Sequence, residues 1–324
     1  MVYVRIAGRV ELQVAGLSGL GSVGNYNQVA TARVSCCGRL HEVPVLTGNA
    51  LKHWHSVYAA EWYQSAGGKN LNDLCKMGVG YRGYRHDATL DKLEKTLAKN
   101  ECEAICDLCN DLHGFLIAEE GRSSKRDSLV KVSFMVPVLT QENLEAVGKF
   151  AAQHNRVVPE SVRKALGKKE AMMLFKQEYA SGLYGFNIRL DLANVLKPMF
   201  ENCKVECVKE ENEVSLRRQA SVAAVLNLLT GSGSKQARAL PIARVVEILA
   251  AVSDSPLPNL VHGAYEDYLE KSVDVVRAYV QSMKSLKNNN VDLKLLYYGQ
   301  REVAGVELFK DLSSLFSELL KRVK

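Results

Sequence analysis

A group of closely spaced cysteines is the first set of side chains whose types could support chemistry. Cys102, Cys106 and Cys109 follow one another at short intervals, with Cys75 upstream and His113 downstream. Thiolates at such spacings can hold a tetrahedral structural zinc ion. A buried, cysteine-rich helix face is the alternative, because thiols also pack as small hydrophobic groups. The sequence leaves both interpretations open, and the candidate zinc ligands are Cys75, Cys102, Cys106 and Cys109.

Two glycine-rich segments resemble nucleotide-binding loops without completing either motif. Residues 19–24 match G-x-G-x-x-G after a strand, but strand-like sequence follows where a dinucleotide-binding fold needs a helix. Residues 231–235 follow a helix and lack the spacing of a phosphate loop. Plain glycine connections remain possible, as do loops whose backbone approaches a polyanion closely.

A helix start places several basic side chains together. Residues 47–49 (Thr-Gly-Asn) predict the beginning of a helix that carries Lys52, His53 and His55 in its first turns. The free amides of a helix N-terminus attract anions, and nearby cations reinforce phosphate binding. Because a lysine there disfavours the helix itself, its presence favours a functional role.

Two further segments are basic. Residues 121–128 combine basic and hydroxyl side chains, and residues 153–169 contain five Lys or Arg against one Glu. Solvated surface is the ordinary explanation, but separate basic segments that converge on one groove are typical of proteins that follow a nucleic-acid backbone. Residues 12–40 contain no Asp, Glu or His, and no catalytic triad or carboxylate pair stands out, so we expect no enzyme.

Strands and helices that must position these groups alternate along the chain. Alternating apolar residues predict a half-buried strand over 2–14 with a partly basic open face, and a hairpin over 28–46. The other predicted elements are helices from residue 48 and at 90–112, 214–230, 264–286 and 306–323, and strands at 128–138, 184–192, 241–253 and 293–298. This pattern predicts an α+β fold with an antiparallel sheet, one open face and several insertions.

Composition narrows the class of protein. The 324 residues are 47% hydrophobic and carry a net charge of +6, which is typical of a globular protein and excludes disordered or collagen-like chains. No apolar run reaches the roughly 18 residues that a membrane helix needs, and early charges argue against a secretory signal. We therefore expect a cytoplasmic protein with eight reduced cysteines, Cys203 and Cys207 lying in the core or at an edge.

Taken in order, several segments resemble the DevR-type CRISPR-associated proteins (family seven, archaeal Csa branch, type I-A), which belong to the RAMP proteins. They run from about residue 2 to about residue 270 in the order found in that family. The matching segments are 22–25, 43–53, 113–116, the basic loop 122–126 leading into 132–137, His154 with Arg156, 181–186, and 231–241.

The resemblance implies an RRM-like (ferredoxin-like) palm made by residues 1–324 as one unit. Insertions at about 55–115 and about 150–180 would form fingers and a thumb. Copies would stack head to tail along CRISPR RNA, as a helical homo-oligomer, in a Cascade complex for antiviral defence. Other Cascade subunits would join them, and the guide would remain free to pair with target DNA.

The resemblance also implies the positions that touch RNA. Carried over residue by residue, they are Asn25, Arg33, Lys52, His53, Arg122, Lys125, Arg126, His154, Arg156, Lys235 and Arg238. RNA-cleaving relatives place a catalytic Asp after the first strand, and this chain has none there, so no cleavage and no required cofactor are expected.

Two other functions remain open. One is a RAMP-type endoribonuclease that processes CRISPR precursor RNA, with His53 or His154 as general acid or base. The other is a zinc-stabilised protein-interaction module that binds no RNA.

Overall fold

The structure, a computed structural model, describes residues 2–119, 121–157, 159–165, 172–207, 212–231, 240–287 and 291–324. The strands are Tyr3–Ala15 (β1), Gly19–Val23 (β2), Tyr26–Val29 (β3), Thr31–Cys36 (β4), Arg39–Pro44 (β5), Phe115–Glu119 (β6), Arg122–Arg126 (β7), Val130–Val132 (β8), Val136–Pro137 (β9), Gly148–Val157 (β10), Met172–Leu190 (β11), Ile242–Ser253 (β12), Leu293–Tyr298 (β13) and Glu307–Phe309 (β14). The helices are Gly48–Ser65 (α1), Asp73–Lys76 (α2), Glu101–Ala104 (α3), Leu108–His113 (α4), Gln141–Ala146 (α5), Glu160–Ala165 (α6), Glu213–Gly231 (α7), Tyr268–Lys287 (α8) and Leu312–Arg322 (α9).

A ten-stranded sheet organises the chain, with β1 near its middle. β1 pairs antiparallel with β11 on one side and with β12 on the other, and β13 continues antiparallel from β12. β14 and β3 add parallel pairings to β13 and β11. The predicted α+β class is confirmed, but the sheet is mixed and not purely antiparallel.

Helices cover both faces of this sheet, which corrects the expectation of an open face. Val4 and Ile6 of β1 pack in one core with side chains of α1, α7 and α9, whereas Ala7 packs in a second core with α8. Arg5 is fully buried and donates to the Asp191 carboxylate and the Leu257 carbonyl. Arg9 likewise donates to the carbonyls of Gly263 and Tyr265, so both arginines meet the segment before α8.

Local hydrogen bonds explain why one predicted helix is divided into shorter helices. The predicted helix at 90–112 is instead a 3₁₀ helix at Leu90–Lys95 followed by α3 and α4. Asn100 and Asp107 accept bonds from backbone amides ahead of them and so start two new short helices. Residues 19–29 form the β2–β3 hairpin, which agrees with the failure of the dinucleotide motif.

Two predicted elements match closely, whereas the strand predicted at 128–138 is divided into β8 and β9 and the helix predicted at 306–323 begins with β14. Thr47 caps α1 as expected, and β13 has the predicted bounds. Within the described part of the chain, no helix is both long enough and apolar enough to span a membrane.

Candidate nucleic-acid interface

Tight packing fixes the start of α1 against the sheet. The Thr47 hydroxyl accepts a hydrogen bond from the Ala50 amide and so caps the helix. At Gly48 a Cβ atom would collide with the carbonyl oxygen of Val132 in β8, so a glycine lets the two backbones approach. This contact brings the first turns of α1 beside Lys131, which is exposed on β8.

Three cations interact at this helix start. Burial, followed by the charges of Arg82 and Lys131, lowers the pKa of Lys52 to about 8. Arg82 is held nearby by hydrogen bonds of 3.4 Å to the His113 carbonyl and to the Ser56 hydroxyl. Because like charges and burial both disfavour the protonated lysine, a bound anion would stabilise it. The arrangement suits a phosphate.

His53 borders the same region. Its Nδ1 lies 3.8 Å from the position that a Cβ on Gly80 would occupy, and its ring meets the Trp54 ring edge-on at 5.5 Å. The side chain is half-buried. It therefore sits on α1 against the glycine-rich segment that also supplies Arg82.

The β2–β3 hairpin extends from the start of α1. At its base, the Ser18 hydroxyl accepts from the Thr47 amide at 2.8 Å, and the Ser18 carbonyl accepts from the Ala30 amide at 2.7 Å. At its tip, the Asn25 carbonyl accepts from the Lys176 amide of β11 at 2.8 Å. Five-residue strands span about 15 Å, so the hairpin links the α1 start to a more distant part of β11.

His154 lies at that distant end. It pairs with Phe175 across β10 and β11, and the two rings stack with centroids 5.1 Å apart. Its Nε2 is 3.2 Å from the Tyr179 hydroxyl. Because Phe175 precedes Lys176 in β11, His154 and the Asn25 tip flank neighbouring positions of one strand. The side chains of Phe175 and Lys176 lie on opposite faces of that strand.

These contacts define two groups of polar and basic residues joined by the β2–β3 hairpin, and we call them together the basic strip. Its members are Lys52, His53, Arg82 and Lys131 at the α1 end, and Asn25, Lys176 and His154 at the hairpin end. Four of the eleven predicted RNA-binding residues therefore lie at the two ends of this hairpin, which are Lys52 and His53 at its base and Asn25 and His154 near its tip.

Other predicted residues lie elsewhere or outside the described side chains. Arg33 is exposed on the separate β4–β5 hairpin, opposite Glu42. Arg156 pairs through its backbone with Met173, and its side chain lies outside the described set. Lys235 and Arg238 fall within 232–239, outside the described residues.

The predicted basic loop around residues 122–126 forms the β6–β7 hairpin, apart from the basic strip. Arg122 donates to the Glu119 carboxylate and to the Lys99 carbonyl. The Lys125 ammonium lies 4.4 Å from the centre of the Phe200 ring. Both side chains are occupied with neighbours within the chain, although Lys125 remains exposed.

Arg126 was predicted to bind RNA, and that prediction is wrong. Its side chain is buried, with ion pairs to Glu101 at 3.1 Å and Asp111 at 2.7 Å. It also donates to the carbonyls of Asn194 and Lys197. Strand alternation explains the outcome, because Lys125 and Arg126 face opposite sides of β7.

The predicted set of four zinc ligands does not come together either, and the expectation of reduced thiols also fails. Six cysteines pair as disulfides, which are Cys75–Cys109, Cys102–Cys203 and Cys106–Cys207. The segment around residues 203–207 returns to the α3 turn, a long-range contact that cysteine spacing could not show. Cys203 and Cys207 are therefore partners of the cluster and not merely core or edge residues.

Sequence reasoning missed Arg82, Lys131 and Lys176. Arg82 belongs to a segment rich in Gly, Tyr and Arg, and that composition was a usable signal. Lys131 and Lys176 carried no signal, because only the pairing of β8 and β3 with β11 brings them to the strip.

Comparisons with known proteins agree with one another. A family model described as CRISPR-associated negative auto-regulator DevR/Csa2 matches residues 6–273. A protein of Thermoproteus tenax named CRISPR-associated protein Cas7/Cst2/DevR is 48% identical over 330 residues, covering 99% of this chain and 95% of the relative. A protein of the same name from Methanocaldococcus jannaschii is 36% identical over 291 residues, covering 85% of this chain and 88% of the relative.

The fold also resembles a solved structure. A chain of a CRISPR RNA-guided surveillance complex in a pre-nicking state superposes with a TM-score of 0.50 at 12% sequence identity. The match covers 99% of this chain and 100% of that chain. At this identity the likeness concerns the fold alone.

Proposed function

Because this chain belongs to the DevR/Csa2 family of CRISPR-associated proteins, we propose that it is a non-catalytic, RNA-binding backbone subunit of a Cascade-type surveillance complex. Its ligand would be CRISPR RNA, the guide named in the solved structure of similar fold. The observation that carries the proposal is the basic strip, in which Lys52, Arg82 and Lys131 are held close together at a helix start.

The chemistry of the strip favours phosphates over bases. Lysine and arginine neutralise the RNA backbone without reading sequence, and this contribution is strongly salt-dependent. Sequence would then be read by base pairing between the guide and target DNA. The His154 ring, stacked on Phe175, would offer an aromatic surface to the RNA beyond the cations of the α1 end.

The proposed assembly follows the same logic. The mixed sheet would serve as the RRM-like palm, and residues 55–115 would form the fingers. β10, α6 and the first part of β11 fall in the interval assigned to the thumb. Copies would stack head to tail, so that the strips of successive subunits follow one RNA strand, together with other Cascade subunits.

Absence of catalysis is part of the proposal. The β1–β5 stretch of residues 12–40 contains no Asp, Glu or His that could transfer a proton. His154 is engaged with Tyr179 and stacked on a ring, which suits binding better than turnover.

A charge-reversal experiment tests the proposal. The double variant Lys131→Glu/Lys176→Glu changes two exposed members of the strip, whereas the control Lys310→Glu/Lys321→Glu makes the same change of charge at two other exposed residues. RNA affinity, measured by filter binding across a salt series, should fall at least about tenfold only in Lys131→Glu/Lys176→Glu. The dependence of log K on log salt should weaken by about 0.7 for each phosphate that the variant no longer neutralises.

Binding measurements and a cleavage assay on precursor RNA together separate the alternatives. Equal reductions in affinity for RNAs of unrelated sequence support the backbone subunit. Affinity that follows one RNA motif and barely changes with salt contradicts it. Specific cleavage of precursor RNA that disappears in His154→Ala would replace the proposal with the endoribonuclease.

A further inference from the structure

Two cysteine pairs with identical spacing face each other beside α3. Cys102 and Cys106 are separated by three residues, and so are Cys203 and Cys207. Both cross-pairs, Cys102–Cys203 and Cys106–Cys207, have Cα atoms 6.0 Å apart. Each cysteine of one pair therefore faces its counterpart in the other pair.

The sequence spacing of both pairs, Cys-x₃-Cys, is one that zinc sites use. A tetrahedral zinc ion bonds thiolate sulfur at about 2.3 Å, which places neighbouring sulfurs about 3.8 Å apart. A Cys-x₃-Cys spacing across one helical turn separates Cα atoms by about 6 Å. Residues 202–206 form no helix or strand, and a shift of this segment would bring Cys203 and Cys207 onto the ion held by the other pair.

Neighbouring groups favour this use of the four sulfurs. A ring nitrogen of His86 and the sulfurs of Cys106 and Cys207 all lie within 4.8 Å of one another. Arg85 and Lys204 line the open cavity beside them. Asp87, Glu103 and Glu206 also line this cavity, and Arg85 pairs with Asp87 at 2.7 Å. The cavity gives the ion an entry path.

The remaining disulfide, Cys75–Cys109, lacks these neighbouring groups. Cys75 and Cys109 are buried with Asp107, but both oxygens of that carboxylate already accept backbone amides, from Asn72 and Asn110. Only two thiols are present there among the described residues. This pair is therefore a matched control within the same region.

We propose that Cys102, Cys106, Cys203 and Cys207 bind one zinc ion as thiolates, with the His86 side chain donating a hydrogen bond to a coordinated sulfur. A thiol reductant first gives each disulfide two electrons and two protons, which yields four thiols. Zinc binding then releases one proton from each thiol and transfers no electrons. The four sulfurs thus have two alternative states, two disulfides or one bound zinc ion. Either one fastens the 203–207 segment to α3, about a hundred residues earlier in the chain.

Metal analysis of the full chain tests the site. The protein is purified with a thiol reductant and Zn²⁺, then freed of excess metal. We expect roughly one zinc equivalent per chain, lost in Cys203→Ser and Cys207→Ser. Zinc content should be unchanged in Cys75→Ser/Cys109→Ser and in the exposed-pair variant Cys36→Ser/Cys37→Ser.

A second measurement does not depend on any variant folding. Replacing Zn²⁺ by Co²⁺ in the unaltered chain should give the intense visible and sulfur-to-metal charge-transfer absorption of a tetrahedral thiolate site. Absence of that spectrum, absence of stoichiometric zinc, or zinc that persists in Cys203→Ser would each overturn the proposal. RNA binding is read separately, so failure here leaves the proposed function standing.

Discussion

Lys52 shows how a residue suited to binding can oppose folding. Burial and two neighbouring cations lower its pKa to about 8. A lowered lysine pKa means that the protonated side chain is less stable in the folded protein than in the unfolded chain. The penalty is fully present below about pH 8 and disappears as the pH rises towards 10.5, where the unfolded lysine also loses its proton.

Replacing this side chain should therefore stabilise the protein while weakening binding. We expect Lys52→Met to raise the free energy of unfolding at pH 7 by about 1–2 kcal/mol, after allowance for solvent screening. Denaturant melts at pH 7 and pH 9 should show the gain shrinking at the higher pH. A variant less stable than the parent at pH 7 would contradict the assigned environment.

The same pKa predicts how RNA binding responds to pH. Between pH 7 and pH 9 Lys52 loses its charge, so affinity should decline over this interval. Lys52→Arg keeps its charge throughout and should flatten the decline. Binding titrations at fixed ionic strength measure the difference, and identical pH profiles for both proteins would remove Lys52 from the interface.

A buried histidine pair makes the fold sensitive to acid. His55 Nδ1 and His113 Nε2 are 2.9 Å apart, and His55 Nε2 donates to the Ser221 carbonyl. Burial lowers the pKa of His55 to about 4 and that of His113 well below its ordinary value. The unfolded chain therefore binds protons first, and stability is lost as pH falls from about 6.5 towards 4.

This loss can be measured on His113→Gln, whose amide can donate to His55 but does not titrate. Each histidine contributes up to about 1.4 kcal/mol per pH unit within this window. The drop in unfolding free energy between pH 6 and pH 5 should be about half as large in the variant. An unchanged slope would show that His113 is not among the groups responsible.

At the scale of elements, buried ion pairs join the short helices to the rest of the fold. Asp111 of α4 accepts from Arg126 of β7 and Arg217 of α7, and Arg217 also pairs with Glu213. All of these side chains are fully buried. Removing one partner leaves an uncompensated charge in the interior, which is costly.

Arg126→Met should accordingly destabilise the protein by about 3 kcal/mol. Arg122→Met, on the same strand but in an exposed pair with Glu119, should cost less than about 1 kcal/mol. Thermal or denaturant unfolding measures both, and RNA affinity of the folded Arg126→Met protein should equal that of the parent. A loss of affinity without a loss of stability would restore Arg126 to the interface.

The sequence predicted those elements that depend on interactions between residues close together in the chain. α1 and β13 could be predicted because a Thr cap determines the first and a local alternation of side chains determines the second. The break between α3 and α4 also had a local cause, in Asn100 and Asp107, that apolar spacing alone overlooked. The disulfides, the cover over Arg5 and the position of Lys176 depend on contacts between distant segments, which no local pattern reports.

For the whole molecule, placement of charge matters more than the net charge of +6. Some basic residues are buried in the interior, among them Arg5, Arg126 and Arg217. Others line the basic strip, where their charges remain available to a polyanion. A modest total net charge therefore coexists with a basic strip that the proposed function assigns to RNA phosphates.

The most direct test of this account is nuclease protection of RNA that copurifies with the protein. The account predicts guide RNA of many sequences, protected at regular intervals, with protection that disappears in Lys131→Glu/Lys176→Glu and at high salt. Copurification of no RNA, or of one RNA sequence protected at a single place regardless of salt, would contradict it.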